Sequence, residues 1–311
     1  MQQNTAWKAH LAMFTACAVW GLMSPIGKDA MAAGISGFMM VTFRMTGAAV
    51  SFWITSLFTK HEKVCTRDLC LFFFAALLGI VFNQCCFTIG LSLTSPINAS
   101  IVTTTMPLIT MLLAAIFLRE PITGKKVIGI LAGASGAILL IRGSLNQSGN
   151  TGNLAGDLLC LTAQCSFAVY LTLFKHLIQR YTVVTCMKWM FTYASLVVLP
   201  FTYSDFISFN WSSISPRVWG ETAFVVFGAT YIAYLLVIRG QQYLRPTVVS
   251  MYTYVQPLVA CIVSVLVGLG VFGWTQGIAV ALIFSGVWLV TRSKSRADLL
   301  REQSTKEQVT S

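Results

Sequence analysis

The apolar positions of this chain come in long runs that charged residues do not interrupt. The runs cover Leu11–Gly27, Met45–Thr59, Leu69–Leu118, Val127–Ile141, Leu158–Phe174, Trp189–Ser204, Thr222–Ile238 and Pro246–Thr291. A helix needs about 20 mostly apolar residues to cross a bilayer. Leu69–Leu118 and Pro246–Thr291 are each long enough for two crossings, folded back at Thr94-Ser95-Pro96 and at Leu269-Gly270. The pattern predicts an all-α polytopic membrane protein with ten transmembrane helices, five in each half.

The stretch from Ser95 to Pro121 carries the most information. It opens on a proline suited to start a helix, is interrupted by Pro107, and closes on Arg119-Glu120-Pro121. It also recurs further along. Arg245-Pro246 answers Ser95-Pro96, and Gln256-Pro257-Leu258 answers Met106-Pro107-Leu108. The register holds without a gap from Phe74/Phe224 to Arg142/Arg292, through Gly90/Gly240, Ser100/Ser250, Thr103/Thr253 and Gly136/Gly286. Two prolines and two glycines in one register indicate an internal duplication. Residues 1–142 form the first repeat, the Gly-, Ser- and Asn-rich residues 143–152 a linker, and 153–292 the second repeat. Residues 293–311 form a charged tail. Five spans is an odd number, so the second copy enters the membrane from the opposite side. Inverted repeats of this kind are common in secondary transporters, whose substrate site lies near the midplane between the halves.

Composition agrees. Apolar residues make up 56% of the chain and charged residues only 10%, against about a quarter charged in soluble domains. The net charge of +11 would suit nucleic acid, but its placement argues against that partner. Most Lys and Arg fall in alternate loops, among them Lys60, Lys63, Arg67, Lys125, Lys126, Lys175, Arg180, Arg239, Arg245 and Arg292. The positive-inside rule then places both termini in the cytoplasm. Nothing at the N-terminus reads as a cleavable signal. The cysteines, nine in number and mostly within apolar runs, read as core residues, and no metal-ligand spacing appears.

Several motifs together resemble the EamA-type transporters of the drug/metabolite transporter superfamily. They are Trp20-Gly21 with Lys28, Arg44, Pro96 with Asn98-Ala99, Pro107-Leu108, Leu118-Arg119-Glu120-Pro121, Arg245-Pro246 through Pro257-Leu258, Gln276-Gly277 and Gly286-Val287. The resemblance runs from about Leu11 to Arg292. One departure stands out: Gly270 occupies the place where the second copy often carries an acid like Glu120. The resemblance implies export of amino acids, other metabolites or drugs across the bacterial inner membrane, with no cofactor. It leaves the cargo open and admits a homodimer.

Polar groups within spans are costly unless they face a cavity or a partner. Arg44 is the sharpest case, either an anchor for a substrate carboxylate or a structural group held by an ion pair, with Asp29 for example, or by carbonyl contacts. Asn83, Gln84, Asn98, Gln164 and Gln256 are candidates to line a polar cavity; each could equally bridge neighbouring helices. Trp20, Phe167, Tyr231, Tyr234, Tyr252 and Tyr254 are candidates for an aromatic wall, or for packing. Pro107 and Pro257 are candidate hinges. Lys188 reads as a snorkelling cap. No Asp or Glu falls in the middle of a span, so no carboxylate proton relay is visible. A membrane enzyme would need catalytic groups at depth, and His10, His61 and His176 all sit at span ends or in loops. A multidrug or cation exporter and a channel are the rival readings.

Overall fold

In the computed structural model the described residues are 2–94, 96–145, 153–266 and 274–294. They are helical throughout, with no strand among them. Among the described residues seven helices are long and apolar enough to cross a membrane: Trp7–Ala32, Gly37–Leu57, Thr66–Leu93, Ile101–Leu118, Leu154–Leu173, Val183–Ser208 and Pro216–Tyr243. Helix α1 is Gln2–Ala32 and α2 is Gly37–Leu57. The third rod runs α3 (Thr66–Ala76), a π-helical segment Leu77–Phe82, then α4 (Asn83–Leu93). Then follow α5 (Pro96–Thr103), α6 (Met106–Leu118), α7 (Gly124–Leu145), α8 (Leu154–Leu173), a short α9 (Lys175–Arg180) and α10 (Val183–Ser208). The next rod runs α11 (Pro216–Ala223), a π segment Phe224–Ile232, and α12 (Ala233–Tyr243). Last come α13 (Pro246–Met251), a 3₁₀ turn Tyr252–Tyr254, α14 (Val255–Leu266) and α15 (Trp274–Thr291).

The helix ends obey local chemistry. Ser36, Asn153, Thr182 and Ser215 each accept from a backbone N–H in the first turn of the helix that follows, meeting donors that would otherwise be orphaned. Pro216 and Pro246 occupy first-turn positions, where a missing N–H costs nothing. Helix α6 ends where Arg119 adopts the left-handed conformation at φ 52°. The Glu120 N–H then returns to the Ala114 carbonyl, which turns the chain toward α7.

Contacts between loops define two ends of the bundle. At one end Lys28 donates from Nζ to the Leu91, Ser92 and Thr94 carbonyls, at 2.8, 2.7 and 3.0 Å. These are the acceptors a helix C-terminus leaves unpaired, and Lys28 caps α4. Asp29 pairs with Arg217 at the same end, and Arg217 also reaches Glu221. The other end is rich in basic groups. There Asp68 pairs with Arg180 at 2.6 Å. The buried Lys126 holds Glu120 at 3.0 Å, and Thr247 donates to the same carboxylate at 3.3 Å. Lys175 lies close by, and burial holds its ammonium below the ordinary lysine range against the opposing pull of Glu120.

Close packing recurs at positions 150 residues apart. A Cβ on Gly136 would sit 2.6 Å from the Ala279 carbonyl oxygen, and one on Gly286 would sit 2.5 Å from that of Gly129. Trp20 donates to the Ala229 carbonyl at 2.9 Å, while the Tyr170 ring lies against Gly79. Gly90 packs on α8 through Gly156 and Cys160, and Gly240 packs on α1 through Met13. Gly90 is therefore a packing point inside α4, and the helix runs on to Leu93.

Part of the linker expected at 143–152 falls within α7, which extends to Leu145. Residues 146–152, the Leu269-Gly270 turn and residues 295–311 of the tail lie outside the described residues.

Candidate functional site

Two kinds of helix irregularity surround the centre of the bundle. The first is a pair of breaks. A proline within a helix cannot donate to the carbonyl four residues earlier. For Pro107 that carbonyl belongs to Thr103, and for Pro257 to Thr253. The helical run stops at Thr103 and restarts at Met106, and the second run tightens to 3₁₀ at Tyr252–Tyr254. The Thr104 and Thr105 hydroxyls turn back to the Ile101 and Val102 carbonyls, both at 2.7 Å. Both prolines thus sit just beyond a break, in the first turn of α6 and of α14. The second irregularity is the pair of π segments, which end immediately before Asn83-Gln84 and Ala233-Tyr234. Such segments are frequent at functional sites.

Between these elements lies a cavity that opens to solvent. Its polar wall consists of Arg44, Asn83, Gln84, Gln164 and Gln256. Trp20, Phe87 and Phe167 give aromatic surface, Met23 and Met106 fill apolar corners, and Thr103 and Thr253 come from the two breaks. Apolar lining with a few convergent polar groups is the usual make-up of a small-molecule site.

The expected side chains divide into three groups. Trp20, Arg44, Asn83, Gln84, Gln164 and Gln256 come together on the cavity, and Phe167 meets Trp20 edge to face at 6.3 Å between centroids. Tyr234 stands one layer back: it is buried, its hydroxyl accepts from the Gln84 amide, and its ring meets Trp20. Gln84 and Tyr234 are themselves 150 residues apart. Tyr231 and Tyr252 do not reach the lining. The Tyr231 hydroxyl bonds Thr55 and its ring packs on Phe52. Tyr252 instead bonds His10 Nδ1 at 2.7 Å. Each phenol finds a partner elsewhere, and burying the ring there satisfies both its ends. Tyr254 likewise leaves the wall, its hydroxyl donating to the Thr104 and Ile130 carbonyls. The Asn98 side chain lies outside the described residues.

Arg44 is buried at 1% exposure. Its Nε donates to the Thr230 hydroxyl at 2.9 Å and its Nη1 to the Thr88 hydroxyl at 3.2 Å. The ion pair with Asp29 does not form, because Asp29 is exposed and held by Arg217. Thr230 sits in the second π segment and passes its own proton to the Val225 carbonyl at 2.8 Å. Lys188 does not snorkel. It is buried with its ammonium 4.7 Å from the centroid of a Trp53 ring, a cation–π contact.

Sequence reasoning missed five lining residues. Met23, Phe87 and Met106 carry no polar signal inside an apolar run. Thr103 and Thr253 did carry one, being matched in the repeat register and each four residues ahead of a matched proline. His10 was also missed as a partner, since nothing local marks it for Tyr252.

A multi-pass helical bundle with a polar-lined cavity at its broken helices is the arrangement of a membrane transporter. The comparisons agree: the profile of the EamA-like transporter family matches residues 7–142 and again 154–292. The chain belongs to this family. It is 29% identical to the uncharacterized transporter YyaM of Bacillus subtilis (strain 168) over 68% of this chain and 69% of that one. It is 24% identical to the uncharacterized transporter YetK of the same organism, over 93% and 88% of the two chains. WAT1-related protein At1g43650 of Arabidopsis thaliana matches at 23% identity, over 96% of each. A solved crystal structure superposes with a TM-score of 0.71 at 19% identity, covering 91% of this chain and 95% of that one, which speaks for the fold alone.

Proposed function

We propose that this protein is a secondary carrier that moves a small metabolite through the central cavity by alternating access. Export of amino acids or related compounds across a bacterial inner membrane is the direction and class expected. One observation carries the reading: side chains from both halves of the sequence, Trp20, Asn83 and Gln84 with Gln164, Phe167 and Gln256, line one cavity. Reciprocal packing 150 residues apart and the family match in two segments support ten spans arranged as inverted repeats, residues 1–142 and 153–292. Two such halves can exchange shapes around a fixed site. The proline breaks and π segments at the cavity give each half a place to bend, with Pro107 and Pro257 as hinges. The basic end of the bundle, by the positive-inside rule, faces the cytoplasm with both termini. A channel would need a continuous polar path and no such exchange.

Counterflow in proteoliposomes tests this. A panel of radiolabelled amino acids and related carboxylates should include cargo that accumulates against preloaded unlabelled cargo and saturates. Gln164→Ala and Gln256→Ala should insert normally and lose flux or change preference. Linear, non-saturating flux, or unaltered kinetics in both variants, would contradict the proposal.

A further inference from the structure

We infer that the cavity selects small organic anions, and that the cargo supplies the counter-charge that Arg44 lacks. The inference rests on the cavity being the transport site, and within the expected class it favours carboxylates without a free ammonium over zwitterions.

A buried cation removed from water is unfavourable unless something of opposite sign pairs with it. Arg44 has a planar guanidinium with five donors. Among the described residues its hydrogen bonds are to two neutral hydroxyls, those of Thr230 and Thr88. No ion pair among the described residues includes it: Glu120 goes to Lys126, Asp68 to Arg180, and Asp29 and Glu221 to Arg217. Among the described residues no Asp or Glu lines the cavity. The other polar lining groups are neutral amides and threonines.

This set of groups ranks possible guests. A carboxylate can meet the fork of Arg44 and take further N–H donors from the amides, and charge-assisted bonds of that kind are the strong ones. A zwitterion brings the same carboxylate, but its ammonium finds only neutral oxygens and aromatic faces. A cation meets Arg44 as a like charge with no acid to offset it. Trp20 and Phe167, which line the same cavity and meet edge to face, accommodate a flat apolar body on the anion.

Four probes sharing one ring separate these cases: phenylacetate, phenylalanine, phenylacetamide and phenethylamine. Binding is read on the purified full-length protein in detergent by titration calorimetry. Phenylacetate should bind more tightly than phenylalanine, and phenethylamine most weakly. Arg44→Gln should weaken phenylacetate about ten- to hundred-fold and phenylacetamide by a much smaller factor, since the amide has no charge to lose. Arg44→Lys should recover part of the loss, since it keeps the charge without the fork. If Arg44→Gln fails to fold, the ranking on the native protein and the Arg44→Lys variant decide. Equal affinities, a preference for the cation, or no phenylacetate binding at millimolar concentration would overturn the inference. Phenylacetate binding without counterflow in proteoliposomes would instead overturn the carrier reading and leave the anion site standing. Counterflow indifferent to charge would do the reverse.

Discussion

A methyl group on Gly286 should push α7 and α15 apart. Its Cβ would lie 2.5 Å from the Gly129 carbonyl oxygen and 2.8 Å from the Gly133 nitrogen. Both are backbone atoms inside α7, so neither can rotate away as a side-chain end could. Ordinary contact begins at 3.4 Å, so the helices must part by about 0.5–1 Å, and overpacking of this kind costs about 1–3 kcal/mol. Against that, exchanging Gly for Ala within a helix returns about 0.5–1 kcal/mol. Gly277, on the same helix, isolates the two effects because nothing lies within 4 Å of a Cβ placed there. Gly277→Ala should leave stability unchanged or slightly raised, while Gly286→Ala should lower it. In their difference the backbone term cancels, and the steric cost of about 1–3 kcal/mol remains. Thermal unfolding of both variants in one detergent, followed by size-exclusion chromatography, reads it. If Gly286→Ala proved as stable as Gly277→Ala, the close approach of α7 and α15 would be wrong.

Other perturbations probe the cavity wall and the basic end. Tyr234→Phe removes the hydroxyl that accepts from Gln84 and should cost about 0.5–1.5 kcal/mol; a double-mutant cycle with Gln84→Leu should show coupling of about that size, and additive losses would mean the two do not interact. Lys126→Met should strand the buried Glu120 carboxylate and destabilise by about 3–5 kcal/mol. Lys126→Met combined with Glu120→Gln should recover most of that loss, and a double variant no better than the single would show the pair is not coupled.

How far the sequence could be read follows from what each feature depends on. Long apolar runs such as Leu158–Phe174 locate helices because in lipid a helix must satisfy its own backbone, and α8 begins and ends within a few residues of that run. The cavity was legible through Gln84, Gln164 and Gln256, since a polar group in a span has to be compensated by something. Direction was not legible in the same way. Tyr231, Tyr234 and Tyr252 are alike in sequence, yet they point to Thr55, Gln84 and His10, partners on other helices that only tertiary packing brings near. The π segments were invisible because Leu77–Phe82 and Phe224–Ile232 contain ordinary apolar residues. The choice for Arg44 turned on one distant contact, the capture of Asp29 by Arg217 across 188 positions of sequence, which no local pattern encodes.

If one cavity serves both sides of the membrane in turn, Gln256 must be reachable from each of them. Gln256 is half-buried on the cavity wall one residue before Pro257. With the nine native cysteines replaced and counterflow retained, Gln256→Cys should react with a small membrane-impermeant methanethiosulfonate in right-side-out vesicles and also in inside-out vesicles. Transported cargo should slow both reactions. Labelling from one side only, or from neither, under conditions where flux continues would contradict a shared alternating site.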